Sequence, residues 1–229
     1  LVAAGLIRDA GADDSRMVTN PAEAAALWRI RADGAGLSGR VHRGTGDDPG
    51  EPAWPGWEDA AVPPENLPAY LREFDELMSA HDVGGPLYGH LGDGCIHVRL
   101  DLPIASAPQR FAAFMQDAAA LVARHGGSLS GEHGDGRARS ALLPAMYSPA
   151  ALRAFAQFKG LFDPDNRFNP GVLVDPAPVD SALRVPLALP IPTRGFALTE
   201  DRGDLSHAAH RCVGVGKCRA DTTPAGGFM

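Results

Sequence analysis

Two short glycine-rich segments carry most of the potential metal ligands of this chain and limit how it can fold. The first is YGHLGDGCIHV at residues 88–98, and the second is SGEHGDG at residues 130–136. Together they supply His90, His97 and Glu132. Imidazole and carboxylate ligands that leave coordination positions open are typical of a catalytic metal rather than a closed structural one.

The first segment predicts a β-hairpin. The Leu-Gly-Asp-Gly sequence at residues 91–94 is a turn signal between two predicted strands, at residues 85–90 and 95–100. His90 and His97 cannot share one strand face by simple alternation, but the turn can bring both rings toward one point. A surface hairpin with incidental histidines is the alternative that the spacing leaves open.

The second segment strengthens the metal interpretation. Glu132 lies beside His133, whose imidazole is a side chain that can carry protons in catalysis, and a second Gly-Asp-Gly follows at residues 134–136. A solvated turn carboxylate and an ordinary, partly buried histidine are the competing interpretations. Neither explains why both groups occur in a glycine-dense bend.

The composition excludes several classes of protein. The chain has 229 residues and is 45% hydrophobic, which is enough for one core or one core with an appendage. Its net charge of −7 argues against a nucleic-acid partner. No apolar run reaches the roughly 20 residues of a membrane span, and no charged-then-apolar segment predicts secretion. Three cysteines do not form a disulfide framework, so a cytoplasmic location is expected, with peripheral association at the inner face of the membrane as an option.

Apolar periodicity predicts an α+β fold in which helices cover an antiparallel sheet. A further short strand is predicted near residues 128–131, residues 33–64 are predicted to form a long loop, and residues 176–192 have the composition of a linker. The predicted helices span residues 21–31, 64–81, 109–124 and 148–161.

The ordered motifs resemble the C-terminal domain of the FAD-linked oxidase family, which includes D-lactate dehydrogenases, D-2-hydroxyglutarate dehydrogenases and glycolate oxidase. The two glycine-rich segments match, and so does LFDPDNRFNPG at residues 161–171. WRIR at residues 28–31 and WEDAAVPP at residues 57–64 stand in the family's order. The resemblance spans roughly residues 20–175. It implies the ferredoxin-like substrate domain of these enzymes.

The resemblance also implies roles for particular residues. His90, His97 and Glu132 match positions that bind a divalent metal, with zinc the expected ion. His133 matches the catalytic base. Arg31 matches an arginine that grips the substrate carboxylate.

Flavin contacts are implied for Asp59, Val62, Pro63 and Asn169. The family's pyrophosphate-binding domain precedes the region matched here. The chain is therefore interpreted as a fragment that is expected to bind FAD weakly or not at all on its own and to be inactive alone.

Cys212 and Cys218 resemble the start of a ferredoxin-like region fused to some family members, in which further cysteines hold [4Fe–4S] clusters. The expected domains are residues 1–176 for substrate and metal binding, a linker at 177–198, and a truncated, partly helical iron–sulfur region at 199–229. In the longer protein, electrons would pass from FAD through the clusters to a quinone, a cytochrome or an electron-transfer flavoprotein.

The leading hypothesis is a part of an FAD-dependent D-2-hydroxyacid dehydrogenase that acts on D-2-hydroxyglutarate or D-lactate. A glycolate oxidase-like or other FAD-linked oxidase subunit is the alternative within the class. A non-catalytic metal-binding or interaction module is the alternative outside it. The sequence does not rank lactate against 2-hydroxyglutarate.

Overall fold

The structure is a computed structural model, and it describes part of the chain. The described residues are 16–37, 53–104, 106–183, 191–192, 198–199 and 203–210, without the side chains of residues 31–37, 207 and 210. The chain divides into two compact units, Leu1–Leu37 and Ser38–Met229.

The first unit contains one described helix, α1, at Pro21–Leu37. It begins where the sequence predicts, because the Asn20 side chain accepts hydrogen bonds from the backbone N–H groups of Ala22 and Glu23 at 2.9 and 3.3 Å. The predicted end near residue 31 was wrong. A glycine inside a helix costs only about 1 kcal/mol relative to alanine, so Gly34 and Gly36 weaken α1 without ending it.

The second unit alternates strands and helices along the chain. Short 3₁₀ helices at Pro64–Asn66, Leu91–Asp93 and Ser140–Ala145 connect several of its elements. Its described strands and helices are β1 (Ala60–Ala61), α2 (Leu67–Ala80), β2 (Leu87–His90), β3 (Cys95–Val98), α3 (Pro108–Arg124), α4 (Gly136–Arg139), α5 (Pro149–Phe162) and α6 (Leu205–His210).

The strands form an antiparallel sheet in the order β1-β3-β2. The predicted hairpin is present as β2 and β3, and Gly94 closes its turn in the left-handed conformation, with φ at 74°. The sequence missed β1, which lies inside the predicted loop. The predicted strand at residues 128–131 was wrong, because Ser128 makes only an isolated bridge to Ala61.

The core lies between one face of the sheet and the helices α2 and α3. Ile96 and Val98 of β3 are at most 2% exposed and belong to the same apolar cluster as the helix residues. Phe74 of α2 and Phe114 of α3 are fully buried, and their ring centroids lie 6.3 Å apart, edge to face. One face of β3 therefore packs against the core. The predicted α+β class is confirmed.

Helix α5 follows the core and begins at Pro149, where the Ser148 hydroxyl accepts a hydrogen bond from the Ala151 N–H at 3.3 Å. It buries none of its residues, and Phe158 and Phe162 are each exposed by two thirds or more. Among the described helices, none combines the length and the apolar character that crossing a membrane requires.

Candidate metal centre

The hairpin places both predicted histidine ligands on one face of the sheet. His90 pairs with Cys95, and Tyr88 pairs with His97, across the antiparallel β2–β3 ladder. Paired residues point to the same face, and so do residues two apart on one strand. The antiparallel register therefore places His90 and His97 on the same face of the sheet, which alternation within a single strand could not do. Both rings are turned away from the core.

The second glycine-rich segment, Ser130–Gly136, is called the Glu132 bend below. It brings a carboxylate and a further histidine against the hairpin. Glu132 Oε1 lies 3.3 Å from His90 Nε2, 3.1 Å from His97 Nε2 and 3.4 Å from His133 Nε2. The structure thus gathers His90, His97, Glu132 and His133 around one carboxylate oxygen.

The histidine rings of this cluster also contact one another. The rings of His97 and His133 stack with centroids 5.3 Å apart and an interplanar angle of 10°. The His90 ring meets that of His97 edge to face at 5.4 Å. Three imidazoles with their Nε2 atoms turned toward one carboxylate oxygen form a donor set that suits a divalent cation with nitrogen and oxygen ligands.

The cluster is buried at one side and open at the other. The His97 side chain is 5% exposed, whereas those of His90, Glu132 and His133 are 39%, 47% and 53% exposed. A catalytic metal needs protein ligands on one side and an accessible position on the other. The gradient of exposure across the cluster meets that requirement.

His97 is suited to act as a neutral ligand. Burial disfavours the imidazolium and holds the pKa of His97 below its ordinary value of 6.5, although the carboxylates of Glu58 and Glu132 oppose this shift. Its Nδ1 atom is buried and makes no hydrogen bond to any residue that the structure describes. The Nε2 atom, turned to Glu132, is the nitrogen that can reach a cation.

Asp59 lies behind the cluster, between β3 and the Glu132 bend, and its side chain is turned into that bend. Its carboxylate accepts hydrogen bonds from the Ser130 hydroxyl at 2.6 Å, the His133 N–H at 2.7 Å and the Glu132 N–H at 3.0 Å. Burial alone would raise the pKa of Asp59, but the hydroxyl and backbone N–H donors outweigh burial and hold it below 3.8. The carboxylate is therefore ionised at neutral pH.

Cys95 lies beside the same carboxylate and remains a thiol. Its Sγ atom donates a hydrogen bond to Asp59 Oδ1 at 3.5 Å. Burial and the neighbouring Asp59 carboxylate raise the pKa of Cys95 to about 12. One ligand atom each from Asp59, Cys95, His97 and Glu132 lies within 4.8 Å of the others. The structure therefore adds two residues to the neighbourhood of the predicted site.

Arg139 ties together the backbone segments that lead into Asp59 and into the Glu132 bend. The sequence did not predict this role. Its guanidinium donates hydrogen bonds to the carbonyl oxygens of Gly56 at 2.9 Å, Glu58 at 2.7 Å and Leu129 at 3.3 Å, and it lies 4.7 Å from the centre of the Trp57 ring. Burial lowers the pKa of Arg139 to about 10, which leaves it charged at pH 7. An isolated Arg in a sequence carries no signal of such a role.

The flavin residues predicted from the resemblance occupy different environments. Asp59 and Val62 are buried, with at most 3% of each residue exposed. Pro63 is half-buried, and Asn169 is exposed with a φ of 48°. Their flavin contacts stay predictions.

Three other predicted site residues are not brought to the cluster by any described contact. Arg31 belongs to α1, and its side chain lies outside the described residues, as do Cys212 and Cys218. Their roles stay predictions from sequence.

Comparisons with known proteins agree with the motifs. The sequence pattern of the family described as FAD linked oxidases, C-terminal domain, matches residues 2–173. D-2-hydroxyglutarate dehydrogenase of Pantoea ananatis is 37% identical over 128 residues, which are 55% of this chain and 12% of that protein. The protein of the same name from Pseudomonas putida is 37% identical over 173 residues, covering 70% of this chain and 16% of that protein. D-lactate dehydrogenase of Archaeoglobus fulgidus is 34% identical over 116 residues, covering 51% of this chain and 26% of that protein.

Proposed function

Because the chain belongs to the FAD linked oxidases through their C-terminal domain, we propose that it forms the substrate- and metal-binding part of an FAD-dependent D-2-hydroxyacid dehydrogenase. The relatives named D-2-hydroxyglutarate and D-lactate dehydrogenase support this class of substrate. The chain spans 12% of the length of the first of these relatives and 26% of the second. The activity of the whole protein is accordingly part of the proposal.

One observation carries the proposal: the Nε2 atoms of His90, His97 and His133 all lie within 3.4 Å of one carboxylate oxygen of Glu132. We assign His90, His97 and Glu132 as the ligands of a divalent metal, with zinc as the proposed ion. Two imidazoles and one carboxylate leave a position for a substrate oxygen.

We assign the role of catalytic base to His133. Its side chain is 53% exposed, and its ring stacks on His97 at the open side of the cluster. A histidine there can accept the hydroxyl proton of a 2-hydroxy acid. A bound metal would lower the pKa of that hydroxyl, and FAD would accept the hydride of Cα, leaving the 2-oxo acid.

The substrate carboxylate needs a cationic partner, and we keep Arg31 in that role because a guanidinium can bind a carboxylate through two parallel hydrogen bonds. The support is the WRIR sequence at residues 28–31. Flavin contacts by Asp59 to Pro63 and Asn169 rest likewise on the family resemblance.

Electron transfer beyond the flavin is proposed from the sequence alone. Cys212 and Cys218 would belong to a [4Fe–4S] region that passes electrons to a quinone, a cytochrome or an electron-transfer flavoprotein. The proposed boundaries are residues 1–176, 177–198 and 199–229, as expected from the sequence.

A stereospecific dye-reduction assay tests the function. The protein that contains this chain is purified with its flavin and assayed with D- and L-2-hydroxyglutarate and with D- and L-lactate. The D-acids should reduce the dye, and His133→Ala should lower kcat by about 10²- to 10⁴-fold with flavin content unchanged. His81→Ala, which removes a histidine paired with Asp117 in the α2–α3 region, is the matched control. Equal activity of wild type and His133→Ala, or no activity with either D-acid, would contradict the proposal.

A further inference from the structure

We propose that Asp59 is the positioning residue of this centre: its carboxylate fixes the backbone of the Glu132 bend so that the side chains of Glu132 and His133 meet the histidines of the hairpin. This inference rests on the proposed metal centre and adds to it a residue that contacts neither the substrate nor the metal.

The first support is the set of donors that Asp59 collects from the bend. Oδ2 accepts the Ser130 hydroxyl at 2.6 Å and the His133 N–H at 2.7 Å, and both carboxylate oxygens lie 3.0 Å from the Glu132 N–H. The two backbone donors belong to the residues whose side chains enter the cluster. A carboxylate that binds consecutive N–H groups restricts the backbone from which both side chains project.

The second support is that the backbone of Asp59 is tied to the other half of the site. The Asp59 N–H donates to the Ile96 carbonyl oxygen at 3.1 Å, next to His97 in β3. The Asp59 carbonyl oxygen accepts the Gly131 N–H at 2.7 Å. One residue therefore connects the strand that carries His97 with the bend that carries Glu132.

The third support is the conformation of Asp59. Its φ is 76°, in the left-handed region that few residues other than glycine adopt, and it is 2% exposed. Such strain costs about 1–3 kcal/mol and persists where the surrounding structure imposes it, commonly at functional sites. In this conformation the carboxylate accepts its hydrogen bonds from the bend.

The space between Asp59 and the bend is closely filled. A Cβ atom added to Gly131 would lie 3.0 Å from Cys95 Sγ and 3.4 Å from Asp59 Oδ1. The carboxylate, the thiol and the bend are thus packed against one another, and the hydrogen bonds of Asp59 are enclosed in that packing.

Binding of Co²⁺ to the full chain measures the effect of Asp59 on the metal centre without flavin or substrate. The dissociation constant and the visible absorption of bound Co²⁺, which reports coordination geometry, are compared for wild type, Asp59→Asn, Ser130→Ala and Asp163→Asn. Asp163 is the matched control, because it is a buried carboxylate that accepts the N–H groups of Arg167 and Phe168 in another part of the fold. Circular dichroism and thermal unfolding report folding of each variant.

Asp59→Asn replaces an acceptor oxygen by an amide donor that faces the N–H groups of Glu132 and His133. It should weaken Co²⁺ binding about 10- to 100-fold and change the absorption spectrum, as loss of an outer-shell partner typically does. Ser130→Ala should weaken it by a smaller factor in the same direction, and Asp163→Asn should leave it unchanged.

Unchanged Co²⁺ affinity and spectrum in a folded Asp59→Asn protein would overturn the inference, as would equal weakening by Asp163→Asn. If Asp59→Asn does not fold, Ser130→Ala is the deciding variant. An unchanged Co²⁺ affinity of Ser130→Ala would then overturn the inference. An effect of Asp59→Asn with none from Ser130→Ala would assign Asp59 as a direct ligand and also overturn the positioning role. Failure of wild type to bind Co²⁺ would instead contradict the metal centre itself.

Discussion

The Nε2 atom of His97 lies 3.1 Å from Oε1 of Glu132, and this contact joins strand β3 to the Glu132 bend. The two residues come from separate glycine-rich segments, and each side of the contact is fixed by backbone hydrogen bonds. His97 is buried whereas Glu132 is half-exposed. The pair therefore forms the boundary between the core of the domain and the open side of the proposed site.

Removing a ligand should weaken metal binding more than removing a histidine elsewhere. His90→Ala and Glu132→Gln each delete one donor of the cluster, and each should raise the dissociation constant for Zn²⁺ by more than about 100-fold, since even outer-shell losses cost 10- to 100-fold. Competition with a chromogenic chelator measures the change.

The control for this comparison is His81→Ala, because His81 also contacts a carboxylate, Asp117, at 2.8 Å. The Zn²⁺ affinity of the His81→Ala variant should equal that of wild type. If His90→Ala and Glu132→Gln bind Zn²⁺ as tightly as His81→Ala, these residues are not ligands.

The turn of the hairpin should tolerate alanine at one glycine and not at the other. At Gly94, φ is 74° and an added Cβ would lie 1.9 Å from the Val62 carbonyl oxygen. Gly94→Ala should therefore lower the free energy of unfolding by about 2 kcal/mol or more. At Gly92, no atom of the described residues other than its two chain neighbours would lie within 4 Å of an added Cβ, so Gly92→Ala should change the free energy of unfolding by less than about 0.5 kcal/mol. Urea unfolding measures both, and equal effects would contradict the assigned turn geometry.

Arg139 should contribute to stability far more than an exposed arginine. Arg139→Met leaves the carbonyl oxygens of Gly56, Glu58 and Leu129 without this donor, which should lower the free energy of unfolding by about 3 kcal/mol. Arg124→Met removes only an exposed ion pair and should cost less than about 1 kcal/mol. Guanidinium unfolding compares them, and a loss below about 1 kcal/mol for Arg139→Met would show that the buried network is not formed.

Asp163 should make stability depend on pH in the acid range. Its hydrogen bond with Lys159, assisted by the Arg167 and Phe168 N–H groups, holds the pKa of Asp163 below its ordinary 3.8. The unfolded chain then binds more protons between the two pKa values, so this contribution is complete above pH 3.8 and is lost as the pH falls through the folded-state pKa.

The measurable consequence is a pH-dependent difference between wild type and Asp163→Asn. Urea unfolding should show wild type more stable by a constant amount near neutral pH, and the difference should shrink below about pH 4. A difference that stays constant down to the lowest pH at which both proteins fold would contradict the assigned hydrogen bonds.

Local patterns predicted the three longest described helices of the second unit, α2, α3 and α5, and the hairpin, because their apolar spacing and turn residues depend only on neighbouring positions. The short helix α4 was not predicted. Helix α3, at Pro108–Arg124, begins one residue before the predicted 109–124. Strand β1 was missed, because two alanines carry no strand signal and are held by pairing with Ile96 and Cys95. Long-range pairing of this kind cannot be inferred from a local window.

The candidate site likewise has a part that could be predicted from the sequence and a part that could not. Ligand-type residues are visible in the sequence because their chemistry is distinctive, and the structure brings His90, His97, Glu132 and His133 together. The role of Asp59 was not visible, because it depends on a left-handed backbone and on donors from a distant segment. Its match to a family motif indicated a flavin contact and gave no sign of the hydrogen bonds to the bend.

Chelation and reconstitution of the flavin-containing protein test the central claim most directly. The protein is treated with a chelator, its flavin and metal contents are measured, and reduction of a dye by D-2-hydroxyglutarate and D-lactate is followed before and after Zn²⁺ is restored. The account predicts that activity is lost with the metal while the flavin is retained, and that Zn²⁺ restores activity to wild type but not to Glu132→Gln. Full activity in metal-free protein would contradict it.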